Sequence, residues 1–369
     1  CGALPSCQPF KRYDACLNVL KGMPQAVLRQ VFRDSVRQRR NRLQTMEVLQ
    51  RAPRILRQMT LSLGLSATDV VNIRQRLSIV LGDLKMCVYL PYLRGKQAEL
   101  LAVREFAQQL SQLNRWVMPV IEPVKDDVSG MERAAQVMID NGMRFALVLN
   151  PQRGAFDTAG DDYFSRLGDV LKATCGTAWS PAYLCREGDA PQIQSQLSGK
   201  NNALLVFQGR AEFTPSVQAL ADDPRVVWVL DGTERSRGFS ESVRTLTHPN
   251  TALLEDAFNR LERNADYARI PDELFSETPW YFRGDGYNGV SDFTTIARAF
   301  NDGGMLPRAV VIHMTYRQDD TIRIHHFVSD SNQSQANVQG KFAEAAAKTE
   351  DFYRQHALTV GVRELLNVY

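Results

Sequence analysis

From residue 86 onward the chain alternates short apolar runs with amphipathic helical stretches, and this rhythm restricts its possible folds more than any other feature. The runs span 87–91, 116–121, 144–150, 179–185, 202–208, 225–231, 251–257 and 308–316. Their starts lie roughly 23–35 residues apart until the last, much longer gap. Several, such as 145–149 and 226–230, are apolar throughout. A strand reads this way when both its faces are buried, as in a parallel sheet covered by helices. Helical periodicity separates the runs at 98–113, 131–141, 163–174, 190–197 and 215–221. Eight β–α units at this spacing predict an α/β protein of the (βα)8, TIM-like barrel type. An open doubly wound sheet would give the same rhythm, because periodicity does not report closure.

The last unit departs from the pattern. Residues 259–307, rich in Asp, Tyr, Trp and Gly, read as an insertion that forms a lid or binding loop, or else covers a strand edge. Beyond it, 310–316 and 321–328 flank the turn Arg317-Gln-Asp-Asp320 and predict a β-hairpin, followed by a closing helix over 336–355. Residues 1–85 read instead as three or four short helices broken at Pro24 and Pro53. Their charge sets them apart too. They hold 15 Lys/Arg against 5 Asp/Glu, which leaves 29 against 36 for the rest out of chain totals of 44 and 41. A +10 segment beside a −7 domain suits mutual attraction, an acidic partner or nucleic acid; it equally suits a solvated basic face.

With 369 residues, 44% hydrophobic and 23% charged, the composition is that of an ordinary globular chain. No apolar run approaches the ~18 residues of a membrane span, and no membrane partner is expected. The first residue is Cys1 and no signal-peptide pattern surrounds it, so the natural start is expected to lie elsewhere. The six cysteines (Cys1, Cys7, Cys16, Cys87, Cys175 and Cys185) form no C-x-x-C pair. Cys87 and Cys185 read as small buried hydrophobes, and a reducing cytoplasm is the expected compartment.

In a barrel, the residues just past each strand line one shared mouth. They are Arg94 and Lys96, Glu122 and Lys125, Asn150 and Arg153, Arg186, Gln208 and Arg210, Asp231 and Glu234, and Asp256. Cations outnumber carboxylates here, which favours an anionic ligand such as a phosphate ester, a nucleotide or a nucleic-acid backbone. Polar loop ends that satisfy one another would give the same list. Glu122, held between Pro119 and Pro123, is the carboxylate best placed for a general base, although a partner of Arg94 or Lys96 would look the same.

Three histidines fall in the hairpin: His313, His325 and His326. A short turn sets His313 opposite His325 or His326, where cross-strand Cβ atoms lie about 4.5–5.5 Å apart. With Asp330 nearby, two imidazoles and a carboxylate suit acid–base work or a metal, and ordinary structural histidines fit the same pattern. No cofactor can be assigned. The chain lacks a P-loop, a dinucleotide-binding G-x-G-x-x-G after the first strand, a G-x-S-x-G elbow and an H-E-x-x-H helix.

Six separated segments carry a resemblance. Tyr89-Leu-Pro-Tyr-Leu-Arg-Gly-Lys-Gln-Ala-Glu99 comes first. Pro119-Val-Ile-Glu-Pro-Val-Lys125, Val148-Leu-Asn-Pro151, Gly286-Tyr-Asn-Gly-Val-Ser-Asp292 and His326-Phe-Val-Ser-Asp-Ser-Asn332 follow, ending in Gly340-Lys-Phe342. In that order they resemble a bacterial branch of the "beta protein" family over 86–369. The resemblance implies pairing with a restriction-endonuclease-like protein in mobile elements or phage defence, and membership of a complex. It brings no catalytic residues to carry over. Because the resemblance begins near Met86, residues 1–85 could belong to a separate polypeptide, such as a partner's tail.

Three functional expectations follow. The first is a phosphoester-processing barrel in which Arg94, Lys96 and Lys125 bind the anion and Glu122 with His313 supply acid–base chemistry. Asn150, Arg153, Gln208, Arg210, Asp231 and Asp256 complete its ligand-binding mouth. The second is a non-enzymatic sensor or regulator of a nuclease-like partner. The third is an architectural subunit whose acidic barrel holds the basic helices.

Overall fold

In the computed structural model, the stretch that opens the barrel also closes it. The structure describes residues 88–157, 178–186, 188–198, 202–234, 236–246, 248–300 and 306–354. Strand β1 (Val88–Tyr89) lies parallel to β10 (Gly289–Asp292), and β2 (Tyr92–Leu93), two residues further on, lies parallel to β3 (Val120–Ile121). Between the two pairings, the Leu90 amide donates to Val290 O at 2.8 Å and the Val120 amide to Pro91 O at 2.9 Å. One extended stretch therefore has a neighbour on each side. The sheet continues through β4 (Phe145–Val148), β5 (Trp179–Cys185), β6 (Ala203–Gly209), β7 (Val226–Thr233) and β8 (Asn250–Glu255) to β10, all parallel. With β1 and β2 counted as one, these are the eight strands of a (βα)8 TIM-like barrel rather than an open sheet.

Period-two alternation sorts the strand residues into two layers. Leu90, Tyr92, Val120, Val148, Leu204, Val206, Trp228 and Leu230 belong to the cluster that fills the barrel. Their sequence neighbours Ile121, Leu147, Leu205 and Val229 pack outward against the helices. The helices are α1 (Gln97–Gln109), α2 (Ser129–Asp140), α3 (Ala190–Gln196), α4 (Pro215–Ala221) and α5 (Arg237–Thr245). In α1 the buried residues Leu100, Val103 and Ala107 fall on one face at helical spacing. Gly95 takes φ +63°, which lets the chain turn from β2 into α1 beside Ile121. Glu99 folds back to accept the amides of Arg94 (3.0 Å) and Lys96 (2.8 Å), satisfying donors that the helix start leaves open.

Two expectations need correction. The run 308–316 is not the eighth barrel strand. It forms β11 (Val311–Gln318), which pairs antiparallel with β12 (Thr321–Val328), and β12 pairs antiparallel with β9 (Asp272–Ser276). The eighth barrel strand is β10, inside the presumed insertion 259–307. Its sequence, Gly-Val-Ser-Asp, holds one large apolar residue, so no hydrophobic run marks it. The same segment supplies β9 and the short α6 (Thr278–Tyr281). Helix α5 was unmarked as well, because only Phe239 and Val243 of its nine residues are buried.

The hairpin is as expected, and so is a closing helix, α7 (Val338–Arg354). The region read as basic helices, 1–85, and the helix expected over 163–174 lie outside the described residues. Cys185 is buried in β5, and burial raises its thiol pKa. Among the described residues no helix is long and apolar enough to cross a membrane. The place of β10 is testable through Val290, whose side chain packs in the outer cluster. Val290→Asp would bury an unpaired carboxylate, and urea unfolding should show a loss of about 3 kcal/mol.

Candidate functional site

Continuing the inward face of each strand past its end shows which residues reach the barrel axis. The interior positions 92, 120, 148, 206 and 254 lead, two residues on, to Arg94, Glu122, Asn150, Gln208 and Asp256. Asp231 follows interior Leu230 by one residue and so faces outward. It is 1% exposed, its Oδ2 accepts Tyr287 Oη at 2.7 Å, and its Oδ1 accepts the hydroxyl and amide of Thr233. Tyr287 belongs to the cluster beneath the helices, and its phenol pKa is raised by burial and by Asp231. Asp231 is thus a tie between strand and outer layer, not part of the mouth.

Arg94 and Glu122 answer each other. They form a close ion pair through Arg94 Nη1 and Glu122 Oε2, with side chains 1% and 0% exposed. The same Oε2 accepts Tyr92 Oη at 2.8 Å, and Oε1 accepts the Gln152 amide at 3.2 Å. Arg94 Nη2 donates to Arg298 O at 2.6 Å, and the guanidinium carbon lies 5.1 Å and 5.4 Å from the ring centroids of Tyr92 and Phe293. Burial, followed by the Glu122 charge, pushes the Tyr92 phenol pKa up. Both oxygens of Glu122 are therefore engaged by the protein.

Other predicted mouth residues also bond inward or lie apart. The Asn150 side chain mimics a peptide group, giving Nδ2 to Leu184 O (2.9 Å) and taking the Leu184 amide on Oδ1 (2.8 Å). Asp256 accepts the Arg298 amide at 2.9 Å, while the Arg298 guanidinium pairs with Glu234. The loop after β10 is thereby strapped across the ends of β2, β7 and β8. The Gln208 side chain is turned inward toward the Tyr92 phenol, with Nε2 buried. Lys125, Arg186 and Arg210 are exposed and Arg153 is half-buried. None of these four lines the cavity that the structure builds beside the mouth.

That cavity has a volume of about 710 Å³, within the usual range for small-molecule sites. It brings together Lys96, from the turn into α1, and His313, from β11, with Arg260 and Glu262 from the loop after β8. Lys96 Nζ lies 4.8 Å from the centroid of Phe300, a cation–π contact. Arg260 Nη1 donates to Ala299 O at 2.7 Å. Tyr267 fixes the loop after β8 by accepting the Leu261 amide (2.9 Å) and donating to Asn259 O (3.0 Å). Glu122 takes no part in this cavity, so the two expected acid–base residues sit in different places.

Register settles the histidines. His313 is paired across the hairpin with His326, and their Nδ1 atoms lie 2.7 Å apart. His326 Nε2 lies 3.1 Å from Glu273 Oε1, and Glu273 Oε2 accepts Asn259 Nδ2 at 3.0 Å. The rings of Phe258 and Tyr267 flank His313 with centroids 4.9 Å and 4.6 Å away. His325 sits on the other face against Phe327 and Phe352, with Nδ1 3.1 Å from Asp272. Asp330 is not the carboxylate partner; it holds Lys348 at 2.7 Å. Among the described residues no group of three or more His, Cys, Asp or Glu could hold a metal ion. Glu273, Asn259 and Tyr267 were missed by sequence reading because they lie in the presumed insertion, far along the chain from the histidines.

Burial and the facing His326 lower the His313 pKa to about 4, and burial lowers that of His326 against the raising effect of Glu273. Both rings are therefore neutral at pH 7. The unfolded chain, with histidines near the ordinary 6.5, binds more protons once pH drops below that value. Stability should thus fall as pH is lowered from about 6.5 toward 4, and His313→Phe should flatten that part of a melting-temperature profile. For the ion pair, Arg94→Met should cost about 3–5 kcal/mol in urea unfolding, because it leaves Glu122 buried and uncompensated. Adding Glu122→Gln should restore much of that loss. No protein-family model matches the chain, and no curated protein matches it.

Proposed function

We propose that the protein binds a small phosphate-bearing anion in the cavity beside the barrel mouth and hydrolyses it with His313 as general base. The observation that carries this reading is the presence of a neutral, half-buried imidazole in the same cavity as Lys96 and Arg260. Two cations against Glu262 favour an anion, and the partly apolar lining from Phe258, Phe300 and Tyr267 strengthens their pull by displacing water. In the reaction, the oxygen of a bound water forms a bond to phosphorus as its proton passes to His313. The P–O bond to the leaving group breaks, and the leaving oxygen takes its proton from solvent. Lys96 and Arg260 offset the charge on the phosphoryl oxygens.

The biological setting we propose rests on the resemblance of 86–369 to the "beta protein" family: a mobile-element or phage-defence module with a restriction-endonuclease-like partner. One observation favours a second reading, a sensor that binds the anion without turning it over and so regulates that partner. The charged pair on the barrel axis, Arg94 and Glu122, is wholly occupied by internal bonds, as suits a rigid scaffold.

Calorimetry with inorganic phosphate and turnover of p-nitrophenyl phosphate separate these readings. Lys96→Ala should weaken phosphate binding about tenfold. His313→Gln should leave binding within a factor of two or three and lower turnover by about 10²-fold or more. Phosphate binding that depends on Lys96, with no turnover of phosphate esters by the wild type, would select the sensor. Binding unaffected by Lys96→Ala would remove the cavity from both readings.

A further inference from the structure

We infer that His326 and Glu273 are positioning residues that direct the His313 Nε2 lone pair to accept a proton and then draw that proton's charge away from the cavity. The inference starts from the bonds the three side chains make. An ionised carboxylate only accepts, so Glu273 Oε1 requires a proton on His326 Nε2. A neutral imidazole carries one proton, so His326 Nδ1 is then an acceptor. The 2.7 Å contact between the two Nδ1 atoms needs one proton, and it must come from His313. His313 Nε2 is left with its lone pair, on a ring that lines the cavity. Each tautomer is thus fixed by the partner behind it.

The same chain provides a path for charge. When His313 Nε2 accepts a proton, the ring can release its Nδ1 proton across the 2.7 Å contact to His326 Nδ1. Nothing is oxidised or reduced. One N–H bond forms on each ring, His313 gives up its Nδ1–H, and the net change is one added proton. The positive charge then resides on His326, against Glu273, which Asn259 orients through its other oxygen. His326 is 2% exposed, so without Glu273 that charge would be costly. The titratable and charged groups around the pair are Glu273 and Asp272 from β9, His325 from β12, and Tyr267 from the turn following the loop after β8. Arg260, Glu262 and Lys96 line the same cavity as His313. Of these, Glu273 alone hydrogen-bonds to the pair.

This inference rests on the proposed hydrolysis only for the use to which the proton is put; the tautomers can be measured without any substrate. Nitrogen chemical shifts of protein labelled with 15N-histidine read them directly, and signals lost in His313→Gln and His326→Gln assign the two rings. At pH 7 the expected state is Nδ1–H with bare Nε2 on His313, and Nε2–H with bare Nδ1 on His326. The reverse on either ring would overturn the inference. Glu273→Gln retains a hydrogen-bond acceptor but not the charge. It should keep both tautomers while lowering the kcat for p-nitrophenyl phosphate about tenfold or more at unchanged KM. Glu273→Leu, with its fold checked by circular dichroism, should give His326 a mixture of tautomers. Unchanged His326 nitrogens in Glu273→Leu would assign the tautomer to some other cause and defeat the positioning role. If the wild type shows the expected tautomers but turns over no phosphate ester, the hydrolytic reading fails while the orientation of His313 stands.

Discussion

Arg94 and Glu122 end neighbouring parallel strands on the inward face of the barrel, and both are shut off from water. Taking two charges out of water costs several kcal/mol per ion, which only good geometry and full hydrogen bonding can offset. The top of the barrel supplies both. Tyr92 and the Gln152 amide complete the carboxylate, while Arg298 O and the faces of Tyr92 and Phe293 complete the guanidinium. These groups come from three strand ends and from the loop after β10. The pair therefore fixes how that loop crosses the mouth, and the loop in turn forms part of the cavity wall.

The position of that wall explains why the candidate site is off the axis. Barrel enzymes use the C-terminal ends of their strands, and this cavity keeps that rule through Lys96 and the loops after β8 and β10. With the axis filled by the charged pair and Phe293, the opening lies to one side, where β11 brings in His313. The antiparallel sheet is thus more than a cover. It contributes the imidazole, the second imidazole behind it and, through β9, the carboxylate behind that. Chain order separates these parts, and sheet pairing reunites them.

How much of this could be read from the sequence depended on the kind of signal. Seven barrel strands were legible because strands buried on both faces read as largely apolar runs. The eighth was not, because Gly289–Asp292 obtains its burial from its neighbours and carries only Val290 to announce it. A histidine facing His313 was legible from the turn length. Choosing between His325 and His326 was not, since a slip of one residue exchanges the faces of the strand. Glu273 was hidden because it reaches His326 from 53 residues away, on a strand whose pairing no local pattern reveals. Asp231 was misplaced for a simpler reason. Position at a strand end was read without parity, and one residue separates the barrel axis from the helix layer.

The central claim is that an anion meets Lys96 and His313 beside the mouth rather than Arg94 on the barrel axis. A crystal structure of the protein soaked with orthovanadate, a phosphate mimic, tests this most directly. The account predicts density within hydrogen-bond reach of both Lys96 Nζ and His313 Nε2, with the Arg94–Glu122 pair intact. Density on the axis, with Glu122 displaced from Arg94, would contradict it.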